Sequence, residues 1–153
     1  MVSKFILVNV YRPSSHNITE AFFEDLTSLL EIICTYSSMT VLVGDFNIHV
    51  DDSHDVMVLR FLDLIDVFGL VQHVTGPTHA RGHTLDLVIT APNYAPTDIS
   101  TDCRNIISDH GLTTCQLRWL CLRLLVSVTR LSDNSTLSTL TFSTLLYISH
   151  LSA

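Results

Sequence analysis

Asp45, Asn47 and His49 stand on alternate positions at the end of an apolar run, Val41-Leu42-Val43-Gly44-Asp45-Phe46-Asn47-Ile48-His49-Val50. Side chains of an extended strand alternate between faces. A carboxylate, an amide and an imidazole are therefore expected on one side, with Phe46 and Ile48 on the other. Carboxylates and imidazoles are the common proton-transfer groups of proteins, and carboxylate and amide oxygens are ligands for hard cations. The plain alternative is an Asx turn that closes a strand. Gly44 favours the chemical reading, because a glycine there lets a ligand or another backbone come close.

A second candidate is Asp86, alone among Leu85, Leu87, Val88 and Ile89. A buried carboxylate is costly without a hydrogen bond or a cation. Asp86 either has such a partner or occupies a solvent-facing pleat position, and the two readings weigh equally. The third is Ile106-Ile107-Ser108-Asp109-His110-Gly111, an acid and an imidazole adjacent in sequence. Neighbours on a strand point opposite ways, so both reach one site only if the backbone turns, as Ser108 and Gly111 permit. The pair His54-Asp55 reads instead as the solvated start of a helix.

These groups need elements to aim them. Lys4 to Val10 is apolar and β-branched, closed by Arg12-Pro13, and reads as a buried strand. Asn17-Ile18-Thr19-Glu20 has capping-box form, and Phe22, Leu26, Leu29, Leu30 and Ile33 recur at helical spacing, predicting a helix from about Thr19 to Tyr36. A strand from Thr40 to about Phe46 follows. Asp52 or Ser53 is expected to cap a second helix with a Val58, Leu62, Ile65 stripe and Gly69 as its stop. Leu70 to Val74, Thr84 to Thr90 and His110 to Leu117 are short β-rich runs between Gly-Pro, Arg-Gly and Ala-Pro-Asn breaks, expected to be antiparallel. The fold class is α/β, a mixed-sheet layered sandwich. Residues 1–118 form its domain, and 119–153 are a Leu/Ser/Thr-rich tail without clear periodicity.

The 153 residues suffice for one core, and 47% of them are apolar against 15% charged. No uninterrupted apolar run is long enough to span a bilayer. The N-terminal apolar stretch runs into Tyr-Arg-Pro without small-residue cleavage chemistry and reads as a strand, not a leader. Cys34, Cys103, Cys115 and Cys121 form no Cys-x-x-Cys pair, which predicts free thiols, no disulfide-linked partner and an intracellular setting. A net charge of −7 argues against a freestanding nucleic-acid binder, because phosphate contacts need clustered Lys and Arg.

Taken in order, "GDFN", "TLDLVIT" and "SDH" resemble the endonuclease/exonuclease/phosphatase family of metal-dependent phosphodiesterases. Within it "VNVYRPSSHN", "VLVGDFNIHV" and "PTHARGHTLDLVIT" look most like the endonuclease domain of non-LTR retrotransposons, over about Phe5 to Leu117. The resemblance implies a DNA endonuclease, nuclear in action, that hydrolyses a phosphodiester in line. It implies that Asp45 orients or deprotonates the attacking water and that Asn47 holds that water and a phosphate oxygen. His110 would stabilise charge on the phosphoryl oxygens, oriented by Asp86, and Tyr11 would approach the phosphate. Asp109 and Asp45 would bind the cation, Mg2+ or Mn2+. The resemblance also implies a truncated N-terminus, without the family's first sheet, metal-binding Glu and early phosphate-contacting Asn, and hence little activity in the chain as written. Two rival readings are a phosphatase of small phosphorylated substrates on the same fold and a catalytically dead interaction remnant.

Overall fold

The computed structural model describes residues 6–14, 17–36, 39–103, 108–117, 122–126 and 147–150. The chain opens with β1 (Ile6–Tyr11), crosses by α1 (Glu20–Tyr36) and returns as β2 (Thr40–Asp45), after which come α2 (Val56–Val67), β3 (Val71–Gln72) and β4 (Asp86–Thr90). One turn of 3-10 helix at Pro92–Tyr94 leads to β5 (Thr97–Asp102), β6 (Leu112–Leu117), β7 (Leu122–Val126) and β8 (Tyr147–His150). The first sheet has the order β1-β2-β4-β3 and the second β5-β6-β7-β8. β1 and β2 are parallel, as a helical crossover allows, whereas β4 runs antiparallel to β2 and to β3. The first sheet is therefore mixed, and the pairs β5-β6, β6-β7 and β7-β8 are antiparallel.

Apolar side chains decide how the layers stack. β2 and β4 are buried at every position, so each strand has two apolar faces. Leu42, Leu87 and Ile89 pack with Leu26, Leu30, Phe61 and Ile65 of the two helices. The alternate residues Val41, Val43 and Val88 pack with Cys115 and Leu117 of β6. Helices thus cover one face of the first sheet and the second sheet covers the other. Phe46, just past β2, falls on the helix side, fully buried, with its ring 5.5 Å from that of Phe61.

Several local expectations shift. The α1 cap is Thr19, whose hydroxyl accepts from the Phe22 amide, rather than Asn17; Asn17 lies too far upstream of the first turn to reach its free N–H groups. Asp55, not Asp52 or Ser53, caps α2 by accepting from the Met57 amide at 2.7 Å. Asp52 instead accepts from the His54 amide and closes the turn before the helix. Gly69 ends α2 in the left-handed region at φ 68, as its position suggested. β5 was not foreseen, and β7 and β8 fall in the Leu/Ser/Thr-rich tail, where periodicity predicted no element. Cys34, Cys103 and Cys115 are free thiols, and Cys121 lies outside the described residues. Among the described residues no helix is long and apolar enough to cross a membrane.

Candidate active site

The register of β2 against β4 builds the site. Asp45 and Asp86 are direct cross-strand partners, at the C-terminal end of one strand and the N-terminal end of the other. The two residues share pleat parity with Val43 and Val88, so their carboxylates face the gap between the sheets. His110 enters that gap from the turn before β6. Its Nδ1 is 2.8 Å from Asp86 Oδ2, and its Nε2 is 3.9 Å from Asp45 Oδ2. Asp45 and Asp86 are each 3% exposed, so these charges meet in a low-dielectric setting.

Asn47 joins the cluster by a different route from the one alternation predicts. β2 ends at Asp45, and Asn47 adopts a left-handed conformation at φ 48. An Asx turn forms: the Asn47 amide donates to Asp45 Oδ1 at 3.0 Å, and Asn47 Nδ2 donates to Asp45 Oδ2 at 2.7 Å. The plain and the chemical readings of this stretch are therefore both true, since the turn itself delivers the amide. His49 is not brought in. Its ring is exposed and stacks on His83 at 4.1 Å, because the strand stops before the alternation reaches it.

Gly44 serves a backbone rather than a ligand. A Cβ there would sit 1.9 Å from the Val10 carbonyl oxygen, with φ at 136. Tyr11 is the register partner of Asp45 on β1, half-buried at the same end of the sheet. Asp109 diverges from its neighbour His110, as the alternation argument required. The Asp109 side chain is 58% exposed, accepts from Ser108 Oγ at 3.2 Å and lies 3.2 Å from His79 Nε2.

Electrostatics follow from these contacts. Burial first, then the facing charge of Asp86, pushes the Asp45 carboxyl up to about 6 against the pull of His110 and the Asn47 hydrogen bonds. The hydrogen bond to Asp86 raises His110 above the ordinary imidazole value, outweighing its burial. At Asp109 slight burial acts upward, but hydrogen bonds from His79 and Ser108 outweigh it and the carboxyl titrates low. Asp86 Oδ1 is buried without a hydrogen-bond partner.

Two ligand-like groups converge on His110: Asp45 with Asp86, and Asp109 with His79, the candidate atoms of each lying within 4.8 Å of one another. The first fits a hard divalent cation, because two facing carboxylates and an unpartnered buried oxygen need positive charge. In the second, His79 Nδ1 accepts from the Arg81 amide at 3.1 Å, so Nε2 carries the proton and donates to Asp109. His79 therefore orients Asp109 and is no ligand itself.

Sequence reasoning passed over His79 and Thr78 as site residues. Thr78 Oγ1 accepts from the Leu85 and Asp86 amides, each at 2.9 Å, and anchors the start of β4. The backbone of His79 bridges to His110. Both lie in the "PTHARGHTLD" stretch, and their distance in sequence from Asp109 hid the contact.

A helix-covered mixed sheet packed on a second sheet, with a carboxylate-imidazole cluster at one end of the sandwich, defines the layered α/β fold of the endonuclease/exonuclease/phosphatase type. The chain belongs to the endonuclease–reverse transcriptase family, whose model matches residues 5–114. Among solved structures it is similar to the endonuclease domain of TRAS1, a telomere-specific non-LTR retrotransposon, at 15% identity and a TM-score of 0.55, covering 63% of this chain and 52% of that one. The chain thus spans about half the length of that domain. None of the curated proteins matches it.

Proposed function

We propose that the chain carries the catalytic end of a metal-dependent phosphodiesterase, a DNA endonuclease of a retroelement acting in the nucleus. The observation that carries this reading is the meeting of Asp45, Asn47, Asp86 and His110, from three separate segments, at one end of the sandwich, with Asn47 hydrogen-bonded to Asp45, Asp86 to His110, and His110 3.9 Å from Asp45. Asp45, turned into the gap between the sheets and held by the Asn47 amides, is placed to take a proton from an attacking water. Asn47 holds that water. His110 keeps its Nδ1 on Asp86, which leaves Nε2 to face charge developing on the phosphoryl oxygens. Tyr11, beside Asp45, approaches the phosphate from β1. Asp45 and Asp86, whose oxygens face one another beside His110, would hold Mg2+ or Mn2+, while Asp109, turned out to His79, lies in a separate group. When bound, the cation polarises the phosphoryl oxygen and offsets the developing negative charge.

The test joins this chain to the N-terminal half of a homologous domain and follows nicking of supercoiled plasmid, with inositol phosphates in parallel. Mg2+-dependent nicking that is lost in His110→Ala is the expected result. Phosphate release from inositol phosphates without nicking would move the assignment to a small-substrate phosphatase. No turnover of either substrate would leave a binding remnant.

A further inference from the structure

Arg12, in the Tyr11-Arg12-Pro13 stretch after β1, has no part in the roles above. In an acidic chain, an arginine beside a phosphodiester site invites assignment as a phosphate clamp. Its contacts point elsewhere. Arg12 Nε donates to the Phe46 carbonyl at 2.8 Å and Nη2 donates to the Asn47 carbonyl, so one planar fork holds two successive peptide groups. The guanidinium also lies 5.9 Å from the Phe22 ring centroid on α1. The Arg12 carbonyl in turn accepts from Asn47 Nδ2 at 2.6 Å.

This clamp acts on a residue that needs one. Asn47 sits at φ 48, a region that side-chain-bearing residues populate sparsely. Its Nδ2 is shared between the Arg12 carbonyl and Asp45 Oδ2. A backbone carbonyl can only accept, so the amide nitrogen must face Arg12, and the amide oxygen is turned the other way.

We propose that Arg12 is a positioning residue: it fixes the Asn47 turn so that Asn47 presents its oxygen to the attacking water, and it does not bind substrate phosphate. The water depends on the phosphodiesterase reading above, but the clamp does not. The Asn47 amide would then be an acceptor for a water O–H, which is the geometry a water needs if it is to give its other proton to Asp45.

The test uses the full 153-residue chain with Arg12→Lys, which keeps the charge but loses the planar fork, and Arg12→Gln. Hydrogen exchange of the Asn47 side-chain amide is read by NMR, and duplex DNA binding is read as a function of salt. Exchange should quicken about tenfold or more in Arg12→Lys, as loss of a hydrogen bond to a charged group predicts, while the salt slope of Arg12→Gln, which drops the charge, stays that of the parent. In the active joined domain kcat should fall about 10²-fold at unchanged KM, the signature of a misplaced group. Unchanged exchange in Arg12→Lys, or a higher KM together with a salt slope shallower by about 1 in Arg12→Gln, would make Arg12 a phosphate contact and overturn the proposal. If neither form cleaves or binds DNA, the nuclease reading fails, yet the exchange rate still decides the clamp. Should Arg12→Gln fail to fold, the exchange rate and the kcat-against-KM split in Arg12→Lys carry the test.

Discussion

Asp45 is the residue with the most conflicting demands. Its pKa of about 6 lies above the ordinary 3.8, so the folded state holds the proton more tightly than the unfolded chain does. The stability this gives is complete below pH 3.8 and is lost as pH rises through about 6. At neutral pH the ionised carboxylate, facing Asp86, destabilises the metal-free protein. Asp45→Asn should therefore stabilise it, by about 1 kcal/mol more at pH 8 than at pH 5. Urea melts at the two pH values check this, and an equal or larger gain at pH 5 would show that Asp45 ionises normally. Asp86 and His110 make the second residue-scale prediction. One hydrogen bond joins them, so Asp86→Asn mis-sets the ring and His110→Ala removes it. Each should lower the nicking rate of the active joined domain by about 10²-fold or more. The double variant should be little worse than the worse single, because both changes remove one function. Strictly multiplicative losses would mean that Asp86 is only a structural acid.

Gly44 shows how an element enforces the site. Since β1 and β2 are parallel and in register from Ile6 with Thr40 to Tyr11 with Asp45, the last rungs of the ladder set where Asp45 stands. Gly44→Ala places a Cβ 1.9 Å from the Val10 carbonyl oxygen in addition to the strain of φ 136. It should destabilise by about 3 kcal/mol or more and displace Asp45 as well. Gly69→Ala, at φ 68 with open space around it, carries the strain alone and should cost about 1 kcal/mol. Chemical denaturation of both variants decides whether the clash or the backbone conformation dominates. At this scale much was legible from periodicity: α1, β1, β2, α2 and β4 follow from apolar spacing, because burial of one helical stripe or of both strand faces leaves a direct mark. Caps were less legible, since Asn17, Thr19, Asp52, Ser53 and Asp55 are all capable side chains and only the first helical turn selects among them. β5, Thr97–Asp102, escaped because an edge strand with alternating exposure and no apolar run resembles a loop. The cluster of Asp45, Asp86 and His110 was legible through motif order, whereas the contacts of Arg12 and His79 depend on pairings across 30 or more residues that spacing does not encode.

Charge is the property of the whole molecule that bears on its substrate. The chain has 8 Lys and Arg against 15 Asp and Glu. Two of the cations are turned to internal partners: Arg12 holds backbone carbonyls, and Arg60 pairs with both oxygens of Glu20 while lying 4.1 Å from the Phe23 ring centroid. Arg81 is exposed in the loop beside His79 and is free of such burial. A protein that grips DNA by counterion release loses affinity steeply with salt, with a slope of roughly −0.9 per phosphate neutralised. The excess of acidic over basic side chains works against that, so the slope for duplex binding should be shallow, with a magnitude below about 4. The acidic cluster would supply another route: a divalent cation held by Asp45 and Asp86 would attract a phosphate oxygen to the same end of the sandwich. Mg2+ or Mn2+ should then strengthen DNA binding at constant ionic strength, opposite to its usual effect of competing for phosphates. Asp45→Asn should erase that gain while leaving the salt slope intact. Fluorescence anisotropy with a labelled duplex, titrated with Mg2+ against compensating monovalent salt, makes the measurement. A steep slope together with weaker binding in Mg2+ would mean that a basic surface holds the DNA and that the carboxylates at the end of the sandwich do not meet its phosphates.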